Sequence, residues 1–277
     1  MTEYGSRSLF RDTAGLDATQ ARELADRLEL RAKSPDEIEA RAAYLGLLDV
    51  AEGDRVLDVG CGSGVVTREI ARRVGPSGCA VGVDPSPALL AIARDLAEVE
   101  GLGNRMELHE GSALALPFAD GAFDVAIAVT ALSHTPGAEG AIPEMARVVR
   151  PGGRIGVFDL DTDMTSVTHP DRTLTRRIIA AASDANAVDG WLSRRLPLLF
   201  VRAGLQHVRV RGFFPLDMDP RGFYAGLAER AADSALKVGA ITESECRDWL
   251  EALHAEQDRG PVIAGRLHIF VWGHKPA

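Results

Sequence analysis

The apolar positions of this chain follow two periods in turn. From Ala18 to Leu30, the residues Ala21, Leu24, Ala25 and Leu28 fall on one helical face. Ser34-Pro35-Asp36-Glu37 reads as a second helix start, with Ser34 as cap, Pro35 at the first helical position and Glu37 completing a capping box. Ile38, Ala42, Leu45 and Leu48 would form its buried stripe. The period then shortens. Val56-Leu57-Asp58-Val59 is a short, mostly apolar run, and Gly60, Gly62 and Gly64 follow it on alternate residues. Helical spacing resumes at Val65, Ile70, Ala71 and Val74. The order is buried strand, tight turn, helix N-terminus.

Further strands are predicted over 78–85, 106–111, 123–131 and 154–160. The run 123–131 is nearly all apolar, as a strand buried on both faces should be. One intervening helix opens at Ser86-Pro87 and turns Leu89, Leu90, Ala93 and Leu96 inward. Another carries Ile142, Met145, Ala146 and Val149 and stops at Pro151-Gly152-Gly153. Five strands alternating with helices imply right-handed crossovers and an α/β, doubly wound parallel sheet. Beyond Asp161 the pattern changes. Helices are predicted over 174–187, 192–203 and 219–238, and strands over 208–214 and 267–272. Thr242 and Glu245 form a capping box ahead of Cys246, Trp249, Leu250 and Leu253. No repeat or low-complexity linker divides the chain, so 1–277 is expected to be one domain. Its core would be about 35–161 plus 204–277, with helices 18–49 and the insertion 162–203 forming a lid at the strand ends. Residues 1–16 show no period and read as a mobile arm.

Composition adds exclusions. A chain of 277 residues with 46% hydrophobic residues can bury one sizeable core. A formal charge of −9 argues against nucleic acid or an anionic membrane surface as the main partner. No apolar run is long enough to span a bilayer, and the first residues lack a signal-peptide pattern. Cys61, Cys79 and Cys246 are odd in number and lack metal-type spacing, which fits a reduced, cytoplasmic protein without disulfides; the sequence leaves monomer and homodimer both open.

The candidate chemistry centres on the glycine turn. Without side chains, such a turn lets a ligand approach the backbone and leaves helix amides free for an anionic group. A dinucleotide fingerprint would need its third glycine where Val65 stands. The pattern is instead Asp58-x-Gly60-x-Gly62-x-Gly64. Asp84 ends the second strand, where a carboxylate either accepts from a ribose diol or caps the next helix.

Together with Leu116-Pro117-Phe118, Asp120, Phe123-Asp124 and Arg150-Pro151-Gly152-Gly153, this pattern resembles the class I S-adenosylmethionine-dependent methyltransferases of the small-molecule, quinone- and sterol-methylating type. The resemblance covers about residues 45–160. It implies a Rossmann-like seven-stranded sheet of order 3-2-1-4-5-7-6 with its last strand antiparallel. It also implies S-adenosylmethionine as cofactor, S-adenosylhomocysteine as product, and methyl transfer to O, N or C of a small molecule.

By the same resemblance Asp58 helps position the methionine amino group, and Gly60, Cys61, Gly62 and Gly64 admit the donor. Asp84 and Pro85 would meet the ribose, and Ser112 and Ala113 the adenine edge, where the family usually carries Asp. Thr130 would line the crevice after the fourth strand. Arg31 would pair with the methionine carboxylate or stand solvated at a helix end, with Tyr4 and Arg7 as weaker candidates. His134 is the candidate general base; contact with the acceptor, or support of the loop Thr135-Pro136-Gly137, are the other readings. Trp191, Phe213, Phe214, Phe223 and Tyr224 would line an apolar acceptor pocket or fill the core of the added lobe. Asp159, Asp161 and Asp163 fail as a calcium loop because Met164 and Pro170 hold its sixth and twelfth positions, and no metal is expected. Two other classes stay open: an S-adenosylmethionine-binding protein with a non-methylating reaction such as cyclisation, and an NAD-dependent reductase.

Overall fold

The computed structural model describes residues 13–218 and 223–277. Two helices, α1 (Ala18–Ala32) and α2 (Pro35–Leu47), precede the first strand. Then β1 (Arg55–Val59), α3 (Val65–Val74), β2 (Cys79–Asp84), α4 (Pro87–Val99), β3 (Met106–Glu110), β4 (Phe123–Val129), α5 (Ala141–Val148) and β5 (Val149–Val167) follow in alternation. The chain continues through α6 (Arg172–Asn186), α7 (Leu192–Arg202), β6 (Gln206–Phe213), the short β7 (Leu216–Asp217), α8 (Ala225–Lys237), α9 (Glu243–Arg259) and β8 (Ala264–His274). Tyr4, Arg7 and most of the expected arm lie outside the described residues.

The sheet order is β3-β2-β1-β4-β5-β8-β6, with β7 paired to β8 alone. The pairs among β1 to β5 are parallel, and β8 runs antiparallel to both β5 and β6. With the two-residue β7 set aside, this is the expected order 3-2-1-4-5-7-6. Strand alternation divides the core. Leu57 and Val59 pack with α5 and α7, whereas Val56 packs with α2 and α3. That alternation turns Asp58 toward α3. A separate cluster of α6, α8 and α9 forms a lobe built on Ile178, Ala232 and Trp249.

Two expectations are corrected. Ser34 makes no side-chain cap and Glu37 does not close a box; Glu37 is buried and accepts from the Tyr224 hydroxyl at 2.6 Å. The buried stripe of α2 is therefore Glu37, Ala40, Tyr44 and Leu45, continuing to Leu48, while Ile38 is exposed. The fifth strand is also not confined to 154–160 but runs from Val149 to Val167. Its pairing with β8 is irregular between Leu160 and Thr165. The polar bulge there is tied to the lobe, with Thr162 Oγ1 2.5 Å from Ser183 Oγ and the Thr162 amide donating to the Gly190 carbonyl at 3.2 Å. Partners supplied from distant sequence let a strand continue where local polarity reads as its end.

Candidate active site at the strand ends

The turn after β1 folds as it does because its glycines accept backbone angles other residues resist. Gly60, Gly62 and Gly64 have φ of 74°, 54° and 78°. Space is also short. A Cβ on Gly60 would stand 2.5 Å from Ala131 Cβ, and one on Gly62 3.0 Å from Leu28 Cδ1. The Gly60 and Cys61 amides donate to the Val83 carbonyl at 2.8 and 3.1 Å, binding the turn to β2. Cys61 is buried with its thiol near Gly82, so burial pushes its pKa well above the usual thiol value.

Two carboxylates flank the turn. Asp84 accepts from the Gly62 amide at 2.9 Å and the Ser86 amide at 2.9 Å, so it orders the turn and the start of α4 together. Burial raises its pKa against those two bonds. Asp58 accepts from Thr67 Oγ1 at 2.6 Å, and burial pushes it up to about 7, opposed by Thr67 and assisted by the nearby charge of Asp84. Thr67 escaped the sequence reading. Its signal was a hydroxyl one turn into the helix that follows the glycines.

α1 lies across this turn. Glu29 accepts from Ser63 Oγ at 2.9 Å and holds Arg68 by two bonds of 3.0 and 2.8 Å. Arg31, near the end of α1, donates to Thr130 Oγ1 at 2.9 Å across 99 positions of sequence. The structure thus brings Arg31 to the strand ends and does not leave it solvated. Thr130 has φ 49°, a strained angle for a β-branched residue, and its amide donates to the Phe158 carbonyl at 2.7 Å.

His134 ends the short turn Leu132–His134 that follows β4 and is half-buried. The turn is clamped from two sides. The Ser133 amide donates to Asp159 at 2.9 Å, and the Ser133 carbonyl accepts from the amides of Val188 and Asp189 at 3.0 Å each. Burial raises the pKa of Asp159, against its bonds from Ser133 and Leu160. Asp159 is thus a support for the His134 turn, a role its place in the acidic triplet had not suggested. The other two acids hold the start of α7: Asp161 accepts from Arg194 at 2.5 and 2.8 Å, and Asp163 from Trp191 Nε1 at 2.6 Å. Ser112 is exposed, its Oγ accepting from the Leu114 amide at 3.2 Å, with Ala113 and Pro85 half-buried nearby in sequence to the ends of β3 and β2.

The expected aromatic pocket does not form as one surface. Phe213 packs on Phe158 at 5.6 Å within the core, and Tyr224 is buried against Glu37. Trp191 is 54% exposed, with Arg194 4.3 Å above its ring.

A parallel sheet of this order, with an acid before a left-handed glycine turn and a second acid at the next strand's end, is similar in fold to solved methyltransferase structures. Residues 56–153 match the family described as "Methyltransferase domain". An uncharacterized 37.1 kDa protein in a transposon of Streptomyces fradiae is 29% identical over 81% of this chain and 63% of its own length. The demethylmenaquinone methyltransferase of Lactobacillus johnsonii is 33% identical over 43% of this chain and 49% of its own length. The chain thus spans less than two thirds of either relative. Among solved structures, the YcgJ protein of Bacillus subtilis is similar with a TM-score of 0.60 at 19% identity, covering 86% of this chain and 99% of that one.

Proposed function

We propose that this chain transfers a methyl group from S-adenosylmethionine to an O, N or C atom of a small-molecule acceptor. The observation that carries this reading is the left-handed glycine turn bonded to Asp84, with Asp58 at its entry. The turn suits the donor because residues without side chains at left-handed angles let a ligand come close to the backbone. The bound donor supplies a reactive sulfonium methyl, so the protein's task is placement and exclusion of water.

Asp84 keeps lone pairs beyond its two amide bonds and would accept from the ribose hydroxyls. Asp58 in its ionised form would face the donor's ammonium. Arg31 would exchange its single bond to Thr130 for a paired one to the donor carboxylate. Ser112 and Ala113 would meet the adenine edge, and the backbones of Cys61, Gly64 and Pro85 would line the walls. His134 would take the proton from a hydroxyl or amine acceptor. α1, α2 and the 162–203 insertion would close over both ligands.

Calorimetry on the purified protein tests the reading. S-adenosylmethionine and S-adenosylhomocysteine should bind and NADH should not. Tight NADH binding without donor binding would overturn it. Donor binding with no S-adenosylhomocysteine formed, across phenol, amine and enol acceptors, would favour a non-methylating reaction.

A further inference from the structure

Alternation along β8 puts Arg266, His268 and Phe270 on one face. Phe270 meets Tyr44 of α2 at 5.8 Å, and His268 stacks on Phe158 at 5.0 Å, so this face looks toward α2. Arg266 pairs in register with Thr165, beyond the pairing of His268 with Leu160. It therefore stands past the core of β5, on the side of the sheet that carries Gly60, Asp84 and Thr130 at the ends of their parallel strands.

The bonds around Arg266 are few. Its Nε donates to Thr165 Oγ1 at 2.8 Å. Among the described residues no carboxylate lies within 4.0 Å of its guanidinium. The described acids in its neighbourhood are already committed. Asp161 takes both nitrogens of Arg194, while Glu37 takes the Tyr224 hydroxyl and faces Arg31 at 3.9 Å. Arg230 adds a like charge near it. Burial pulls the Arg266 pKa down to about 10, so it stays a cation at neutral pH. Enclosing a cation without a counter-charge is costly, and a ligand anion would relieve that cost. Arg266 is half-buried and not fully sealed, so a ligand can reach it. Among the described residues, a chain of −9 net charge thus leaves this guanidinium at its strand ends without a carboxylate partner.

Contacts run from Thr130 through Arg31 and Glu37 to Tyr224, and Tyr224 in turn interacts electrostatically with Arg266. We propose that Arg266 anchors a carboxylate or phosphate group of the methyl acceptor. The word acceptor rests on the methyl-transfer reading; the anion site itself does not.

Arginine side-chain N–H signals, read by nuclear magnetic resonance on the full chain saturated with S-adenosylhomocysteine, test this. The bound product occupies Arg31, so a response at Arg266 is distinct from the donor carboxylate site. Sodium acetate and inorganic phosphate are titrated separately, with Arg266→Lys assigning the signal. The Arg266 signal should shift saturably with one or both anions at roughly millimolar concentration. Acetate alone would mark a carboxylate, phosphate alone a phosphate. Arg266→Met should lose the response, keep S-adenosylhomocysteine affinity within about twofold, and melt no lower than the parent. A signal that moves no more than those of the surface arginines overturns the proposal. So does an Arg266→Met variant that fails to fold or melts several degrees lower, since Arg266 would then be structural. Failure of S-adenosylhomocysteine to bind the parent would instead sink the methyl-transfer reading, and the anion titration would still read out on the free protein.

Discussion

Asp58 is held in the site at a cost to its charged form. Its carboxyl is buried and its pKa is pushed from 3.8 up to about 7. The folded chain therefore holds a proton that the unfolded chain releases between those two values. Stability associated with Asp58 is full below about pH 4 and is lost as pH rises through about 7. A bound ammonium favours the ionised form, so donor affinity should climb as pH rises toward 7 and level off above it. Calorimetric titration of S-adenosylhomocysteine from acid to neutral pH checks this, and Asp58→Asn should flatten the slope. His134 is tested by rate. In His134→Gln turnover should fall by about 10²–10⁴ while donor affinity holds, with loss of a pH-rate inflection near neutrality. A fall below about tenfold with the inflection intact would assign placement alone to this turn.

At the scale of elements, the tie between α2 and α8 is a buried hydrogen bond between Glu37 and Tyr224. Although burial favours its protonated form, the charge of Arg31 and the Tyr224 hydroxyl hold the Glu37 carboxyl below its usual range. Tyr224→Phe removes one donor and leaves the carboxylate enclosed. Chemical denaturation should show a loss of about 1–3 kcal/mol, and a change under about 0.5 kcal/mol would mean that water replaces the hydroxyl. The bulge of β5 is the second such element. Asp161 and Asp163 leave the strand there to hold Arg194 and Trp191, which seats α7 against the sheet.

At the scale of the molecule, the site is covered from two sides. α1 is latched over the glycine turn through Glu29, and the amides of Val188 and Asp189 hang on Ser133. If these elements are the lid, S-adenosylhomocysteine should slow amide exchange in α1 and around 188–191 as well as in the turn itself. Exchange measured by mass spectrometry with and without the ligand checks this. Slowing limited to the glycine turn and α3 would make the outer helices static walls. No helix among the described residues is long and apolar enough to cross a membrane.

The alternation of strands and helices from Val56 to Leu160 was legible in sequence because both signals are local: period in the apolar residues, and glycine or proline at each turn. The glycine turn, Asp84 at its strand end and the capping box at Thr242 all follow from neighbours a few residues apart. Sequence order and the family pattern also anticipated the antiparallel last strand. What sequence could not decide was the use of each polar side chain whose partner lies far along the chain. Glu37 read as a cap because Ser34 is three positions away, yet it bonds Tyr224 across 187 positions. Asp159 read only as one of an acidic triplet that fails as a calcium loop, yet it supports the Ser133 amide. Arg31 was undecided between solvent and ligand until Thr130 met it. A buried charge goes where a distant partner can meet its desolvation cost, and only the folded arrangement of strands and helices determines which partner that is.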